Sequence, residues 1–100
     1  IEREIKNPEI KIEIKTGNNF AIVKIQDNAN GVSEDIIEKI FDPYFTTRHK
    51  TQGTGIGLYM SKNIIERNMK GFINVRNHNN GAIFTIKFLL LIIIQQNIII

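Results

Sequence analysis

Seven consecutive residues, Glu9 to Lys15, alternate without a break between charge and isoleucine. Successive side chains of a strand point to opposite sides, so Ile10, Ile12 and Ile14 share one face and Glu9, Lys11, Glu13 and Lys15 the other. No helix sorts this pattern, and the run predicts a strand with one buried face. Thr16-Gly17-Asn18-Asn19 reads as a turn, and Phe20 to Gln26 as a second strand, which makes an antiparallel hairpin. A second hairpin is expected from Phe72–Arg76 and Ala82–Phe88, joined by His78-Asn79-Asn80-Gly81.

Two helices are expected between the hairpins. Ser33 is a suitable N-cap, Glu34 and Asp35 suit a first turn, and Ile36, Ile37 and Ile40 share a face. This helix stops before Pro43, because the residue before a proline disfavours helical backbone. The other runs from about Gly57 to Asn68, buries Leu58, Ile64 and Ile65 or their neighbours, and stops at Gly71. Asp42 to Gln52 has no hydrophobic period and reads as a long polar and basic loop.

One hundred residues make one small domain with a modest core. There is no cysteine, so neither a disulfide nor a thiolate metal site contributes. The chain starts at Ile1, as expected for a piece of a longer protein. Charge is segregated. Residues 1–42 carry six Lys/Arg and nine Asp/Glu, whereas residues 43–100 carry seven Lys/Arg and a single acid, Glu66. Leu89 to Ile94 is an apolar run followed by Gln95, Gln96, Asn97 and three isoleucines. It is too short to span a membrane. It reads as a continuation of the last strand, or as a segment that pairs with another chain.

The basic half contains Gly53-Thr54-Gly55-Ile56-Gly57, running into the second helix. Glycines let backbone approach a ligand closely, and a helix start offers unpaired N–H groups, a combination suited to phosphate. A P-loop would need Lys and then Ser or Thr after its last glycine, but Leu58 and Tyr59 follow Gly57. The dinucleotide fingerprint needs two residues before its third glycine and a strand just before its first. Neither condition is met.

Three motifs occur in order: Asp27-Asn28-Ala29-Asn30-Gly31 at a strand end, Phe41-Asp42-Pro43-Tyr44-Phe45-Thr46-Thr47-Arg48, and Gly53-Thr54-Gly55-Ile56-Gly57-Leu58. With them the chain, over about residues 9–90, resembles the ATP-binding catalytic domain of sensor histidine kinases, in the GHKL superfamily with DNA gyrase B and MutL. The motifs correspond to its G1, F and G2 boxes. The resemblance implies an α+β fold: a two-layer α/β sandwich with a mixed, mostly antiparallel sheet and helices on one face. It implies that Asp27 accepts a hydrogen bond from the adenine amino group, as a carboxylate must, and that Gly31 lies close to the nucleotide. Ala29 stands where the family usually has glycine. Phe41 and Phe45 would pack the base of an ATP lid, Asp42 to Gln52. Thr47, Arg48 and Lys50 would lie in that lid, the two cations near the triphosphate. Gly53, Thr54, Gly55, Gly57 and Leu58 would cradle the phosphates.

The family also carries an N box on a helix ahead of G1, whose asparagine holds Mg²⁺. Ile1 to Pro8 contain only Asn7 and are too few for that helix. Residues 1–100 are therefore expected to form a single partial domain, with an apolar tail at 89–100, no catalytic or metal-ligating residue of its own, and little activity in isolation. The resemblance implies ATP, with Mg²⁺ in the parent protein, and a cytoplasmic setting, free or as the cytosolic portion of a membrane-bound sensor. The implied partners are a dimerisation and phosphoacceptor domain and a response regulator, not nucleic acid. His49 and His78 match lid and turn positions, not a phosphoacceptor. The competing expectation is a degenerate, non-catalytic fold that self-associates through an exposed sheet face or the apolar tail.

Overall fold

The computed structural model describes residues 5–46 and 55–90. Four strands form one sheet: β1 (Ile10–Gly17), β2 (Phe20–Asp27), β3 (Phe72–His78) and β4 (Gly81–Leu89). Their order is β1-β2-β4-β3. A mostly antiparallel sheet was expected, and every pairing among the described residues is antiparallel. The cause is topological. The chain leaves β2, crosses to the far edge as β3, and turns back so that β4 lies between β3 and β2.

Both hairpin turns are built on asparagine. Asn18 and Asn19 both have positive φ, at 52° and 69°, and connect Gly17 to Phe20 in two residues. This is the turn whose twist matches that of paired strands, and asparagine tolerates it. Asn79, at φ 51°, opens the other two-residue turn, between His78 and Gly81, where Asn80 keeps a negative φ.

The expected first helix is reduced to a single 3₁₀ turn, Ile37–Lys39. Successive short bonds replace α-helical ones: Ile36 N–H to Ser33 O, Lys39 N–H to Ile36 O, Asp42 N–H to Lys39 O. Three β-branched isoleucines lower helix propensity here. The Ser33 hydroxyl donates to the Asp35 carboxylate instead of capping the backbone. That bond, a backbone N–H of Asp35 itself and nearby Lys39 hold the Asp35 carboxyl below its ordinary range.

The second helix forms, as α1 (Gly57–Asn63) continued by a π turn, Ile64–Asn68. Met69 N–H reaches back to Ile64 O, and Gly71 N–H to Ile65 O, while Lys70 takes the left-handed position at φ 52°. Lys70 stands in the left-handed position usually held by glycine, and the closing bonds span five and six residues, in keeping with the π turn. The buried face is Ile65 and Met69, four residues apart, rather than Leu58 and Ile64, which are 37% and 50% exposed. The wider π turn helps bring Met69 round to the sheet.

Ile65 and Met69 pack on Ala21, Ile73 and Phe88, with Val23, Phe41, Phe84, Ile86 and Leu90 partly buried around them. The architecture is thus two-layered, a sheet with its helix on one face. Opposite residues of antiparallel strands share a face. The register Ile14–Val23–Ile86–Ile73 therefore puts Ile10, Ile12 and Ile14 on this same core face. Contrary to expectation they are exposed, at 65–69%, because no described element covers that end of the sheet. β4 ends at Leu89, the first residue of the apolar tail, and Leu90, already helical, bonds Asn19 O through its N–H. Residues 91–100 lie outside the described residues. Among the described residues no helix is long and apolar enough to cross a membrane.

Candidate functional site

Asp27 is the last residue of β2, opposite Ile10 on β1. Its Oδ1 accepts from Ala29 N–H at 3.0 Å and from Ala82 N–H at 3.2 Å. The first bond is an Asx-type turn that starts the loop after the strand. The second ties the carboxylate to the start of β4. Both use the same oxygen, which leaves Oδ2 without a protein donor among the described residues and able to accept from a ligand.

The loop Asn28–Val32 is held on three sides. Asn28 Oδ1 accepts from Glu9 N–H at 2.9 Å, and its Nδ2 donates to Asn7 O at 2.8 Å. Asn30 N–H donates to Asn80 O at 2.7 Å. The Asn77 amide binds Val32 at both backbone groups. Asn30 and Gly31 turn the chain with φ of 71° and 75°. Ala29 keeps a negative φ and an exposed side chain, so alanine at this usual glycine position introduces no backbone strain.

Gly55 and Gly57 lie at the other motif. Tyr44 N–H donates to Gly55 O at 2.8 Å, bringing the described segments on either side of residues 47–54 together. Gly55 has φ 70°, and a Cβ there would fall 2.5 Å from Phe45 O, so the closure needs glycine. Gly57 opens α1, and a Cβ added there would meet nothing within 4 Å among the described residues. Leu58 follows, part-exposed on the first turn. The Phe41 ring meets Phe84 edge-on at 6.3 Å, and Lys62 Nζ stands 5.5 Å from its centroid. Phe45 is half-buried, and its N–H bonds Asp42 O. Thr47, Arg48, Lys50, Gly53 and Thr54 lie outside the described residues.

The structure therefore arranges the expected residues as two built segments, Asp27–Gly31 and Gly55–Leu58. An open cavity of about 550 Å³ lies elsewhere, between the 3₁₀ turn and β3. Its walls include Glu34, Glu38, Phe41 and Arg76 and none of the expected site residues. No group of three or more His, Cys, Asp or Glu side chains able to hold a metal assembles among the described residues. Two contributors escaped the sequence reading. Asn77 fell between the expected strand and turn, and Gly81 was taken as plain turn. Yet a Cβ on Gly81 would lie 1.7 Å from Asp27 O, so β4 can start beside Asp27 only with glycine there. The asparagine-rich hairpin was the available signal.

Residues 2–92 match the family described as histidine kinase-, DNA gyrase B-, and HSP90-like ATPase. Over 79 residues the chain is 43% identical to the sensor histidine kinase ZraS of Salmonella typhimurium, covering 77% of this chain and 16% of ZraS. It is 32% identical over 87 residues to the sensor histidine kinase YvrG of Bacillus subtilis, covering 83% of this chain and 15% of YvrG. The solved catalytic domain of histidine kinase ThkA superposes with a TM-score of 0.74 at 34% identity, covering 83% of this chain and 54% of that one. The chain thus spans about half of the ThkA domain and a minor part of the curated sensor kinases.

A two-layer antiparallel fold, an aspartate fixed at a strand end and a glycine-led helix define a nucleotide-binding ATPase domain, and the chain belongs to the histidine kinase-, DNA gyrase B-, and HSP90-like ATPase family. Within that family it is the ATP-binding catalytic domain of sensor histidine kinases that it represents.

Proposed function

We propose that the chain, as a single partial domain, holds ATP for phosphoryl transfer to a histidine of its parent kinase. Asp27 reads the adenine amino group through Oδ2, and the Gly53–Gly57 run receives the phosphates, with Thr54 and Leu58 alongside and Thr47, Arg48 and Lys50 in the lid. Basic side chains near the phosphates would offset the charge that develops during transfer. Mg²⁺ would arrive with the triphosphate. The described residues offer no cluster of acidic side chains to hold it. The observation that carries this reading is the Asp27 carboxylate, with one oxygen fixed by two backbone N–H groups and the other left to a ligand.

In the parent, the phosphoacceptor is a histidine on a separate dimerisation domain, and a response regulator receives the phosphoryl group. This chemistry belongs in the cytoplasm, where ATP is available. The test is calorimetric titration of ATP into the full-length parent. Asp27→Asn should weaken binding at least about tenfold, because an amide in place of the carboxylate removes a charge-assisted acceptor. Unchanged affinity would overturn the role of Asp27.

A second contact surface rests on β1. Its isoleucines are exposed and its outer edge is unpaired among the described residues. An antiparallel pairing of two copies centred on Ile12 would set Glu9 against Lys15 and Lys11 against Glu13, with Ile10 against Ile14. Registers centred on Lys11 or Glu13 would oppose like charges. Registers centred on Ile10 or Ile14 pair only Glu9 with Lys11 or Glu13 with Lys15, so the Ile12 register makes the fullest use of the β1 charges, and the occupant we assign to this edge is a second copy of the chain.

A further inference from the structure

The loop that presents Asp27 is anchored at both ends by one distant element, the β3–β4 hairpin. Its entry is tied through Asp27 Oδ1 to Ala82 N–H. Its middle is tied through Asn30 N–H to Asn80 O. Its exit is tied by Asn77, 45 residues away in sequence, which copies the bonding of a neighbouring strand. Asn77 Oδ1 accepts from Val32 N–H at 2.7 Å, and Nδ2 donates to Val32 O at 2.7 Å and to Glu34 Oε1 at 2.9 Å. Three of the amide's hydrogen-bonding positions are thus engaged, which fixes the side chain in one orientation. Gly31 sits directly against it, since a Cβ there would lie 2.5 Å from Asn77 Oδ1.

Between the anchors at Asp27 and Val32 only four residues remain, two of them in the left-handed region. A short loop fixed at both ends has few alternative paths. We propose that Asn77 is a positioning residue: by clamping Val32 it confines the loop so that Asp27 keeps Oδ1 on the backbone and Oδ2 for the base. This rests on the reading of Asp27 as the adenine acceptor. Asn77 contacts no nucleotide in this account and acts only through the loop.

The experiment compares the wild-type chain with Asn77→Ala and Asn77→Asp. The aspartate keeps an acceptor for Val32 N–H but loses both donated bonds and faces the Glu34 carboxylate. Two readouts are taken on each protein. The first is affinity for ATP and for ITP, whose base lacks the 6-amino group. In wild type ATP should bind more tightly. Asn77→Ala should weaken ATP about tenfold and ITP much less, with Asn77→Asp close to the alanine variant. Equal losses for both nucleotides would mean general destabilisation and would overturn the proposal.

The second readout is amide hydrogen exchange and needs no nucleotide. Asn77→Ala should accelerate exchange at Val32 and also at Ala29 and Ala82, whose partner is Asp27, while amides within the β2–β4 ladder keep their protection. Acceleration at Val32 alone would show that the clamp does not govern Asp27. If wild type binds neither nucleotide, the proposed function fails, and the exchange pattern still decides the role of Asn77.

Discussion

At one end of the sheet's core face, Ile73 and Phe88 lie under Ile65 and Met69, each no more than 9% exposed. At the other end, Ile10, Ile12 and Ile14 occupy the same face and are 65–69% exposed. The residue types are alike, and the strands at both ends alternate. What differs is the cover. Alternation determines which face a side chain takes, but burial requires a second layer, and α1 with its π turn covers β3, β4 and Ala21 at the start of β2 but not β1. An isoleucine removed from water contributes about 2 kcal/mol, so one half of the face supplies most of the hydrophobic stabilisation while the other supplies contact surface.

The strongest way to break this comparison is a matched pair of truncations. Ile73→Ala should cost about 3 kcal/mol, the usual range for emptying a packed aliphatic site. In a domain this small that is a large share of total stability. Ile12→Ala should cost under about 0.5 kcal/mol in dilute, monomeric protein. Urea unfolding of the two variants under the same conditions checks both. Equal losses would mean that the β1 end is covered in solution.

The same contrast shows what the sequence could and could not disclose. Strands and hairpins were legible because period-two alternation and Asn-rich turns are local signals. Gly31, Gly55 and Asp27 were legible because their motifs are contiguous. The helix after Ser33 was over-read: the caps and spacing were present, but the β-branched Ile36, Ile37 and Ile40 favour other backbone, and Asp35 takes the Ser33 hydroxyl. The helix face was read in part: Ile65 is buried as expected, but Leu58 and Ile64 are not and Met69 takes their place, because a π turn shifts the phase of the spacing. Asn77 and Gly81 were hidden for a different reason. Their importance lies in what they approach across the fold, Val32 and Asp27, and no local pattern encodes that approach.

A smaller effect sharpens the account of the bare end. If two copies pair about Ile12, Lys11 faces Glu13 twice by symmetry. Lys11→Glu would set like charges opposite each other at both places and weaken self-association about tenfold. The double swap Lys11→Glu with Glu13→Lys restores opposite pairs and should recover it. Sedimentation equilibrium over a concentration series reads both results. An association indifferent to the single substitution, or not rescued by the swap, rules out this register. A wild-type chain that stays monomeric rules out the pairing altogether.

The smallest effect belongs to the covered end. The 33–42 segment carries Phe41 onto Phe84, and the Ser33–Asp35 bond lies at its start. Because the folded carboxyl titrates below its ordinary value of 3.8, the folded state favours the ionised form. The resulting stabilisation is fully present above that ordinary value and is lost as pH falls through the lower folded value. Neutral and alkaline conditions should leave it untouched. Ser33→Ala removes the largest cause of the shift, so this part of the acid sensitivity should shrink in that variant while stability near pH 7 drops slightly. Melting temperatures of the two proteins from pH 7 down to about pH 3 supply the measurement. The group is fully exposed, so screening by salt should flatten the Lys39 contribution first and leave the Ser33 hydrogen bond as the remainder. If Ser33→Ala leaves the acid limb unchanged, the Ser33 bond does not set the titration of Asp35. The pH response of the covered end must then come from elsewhere.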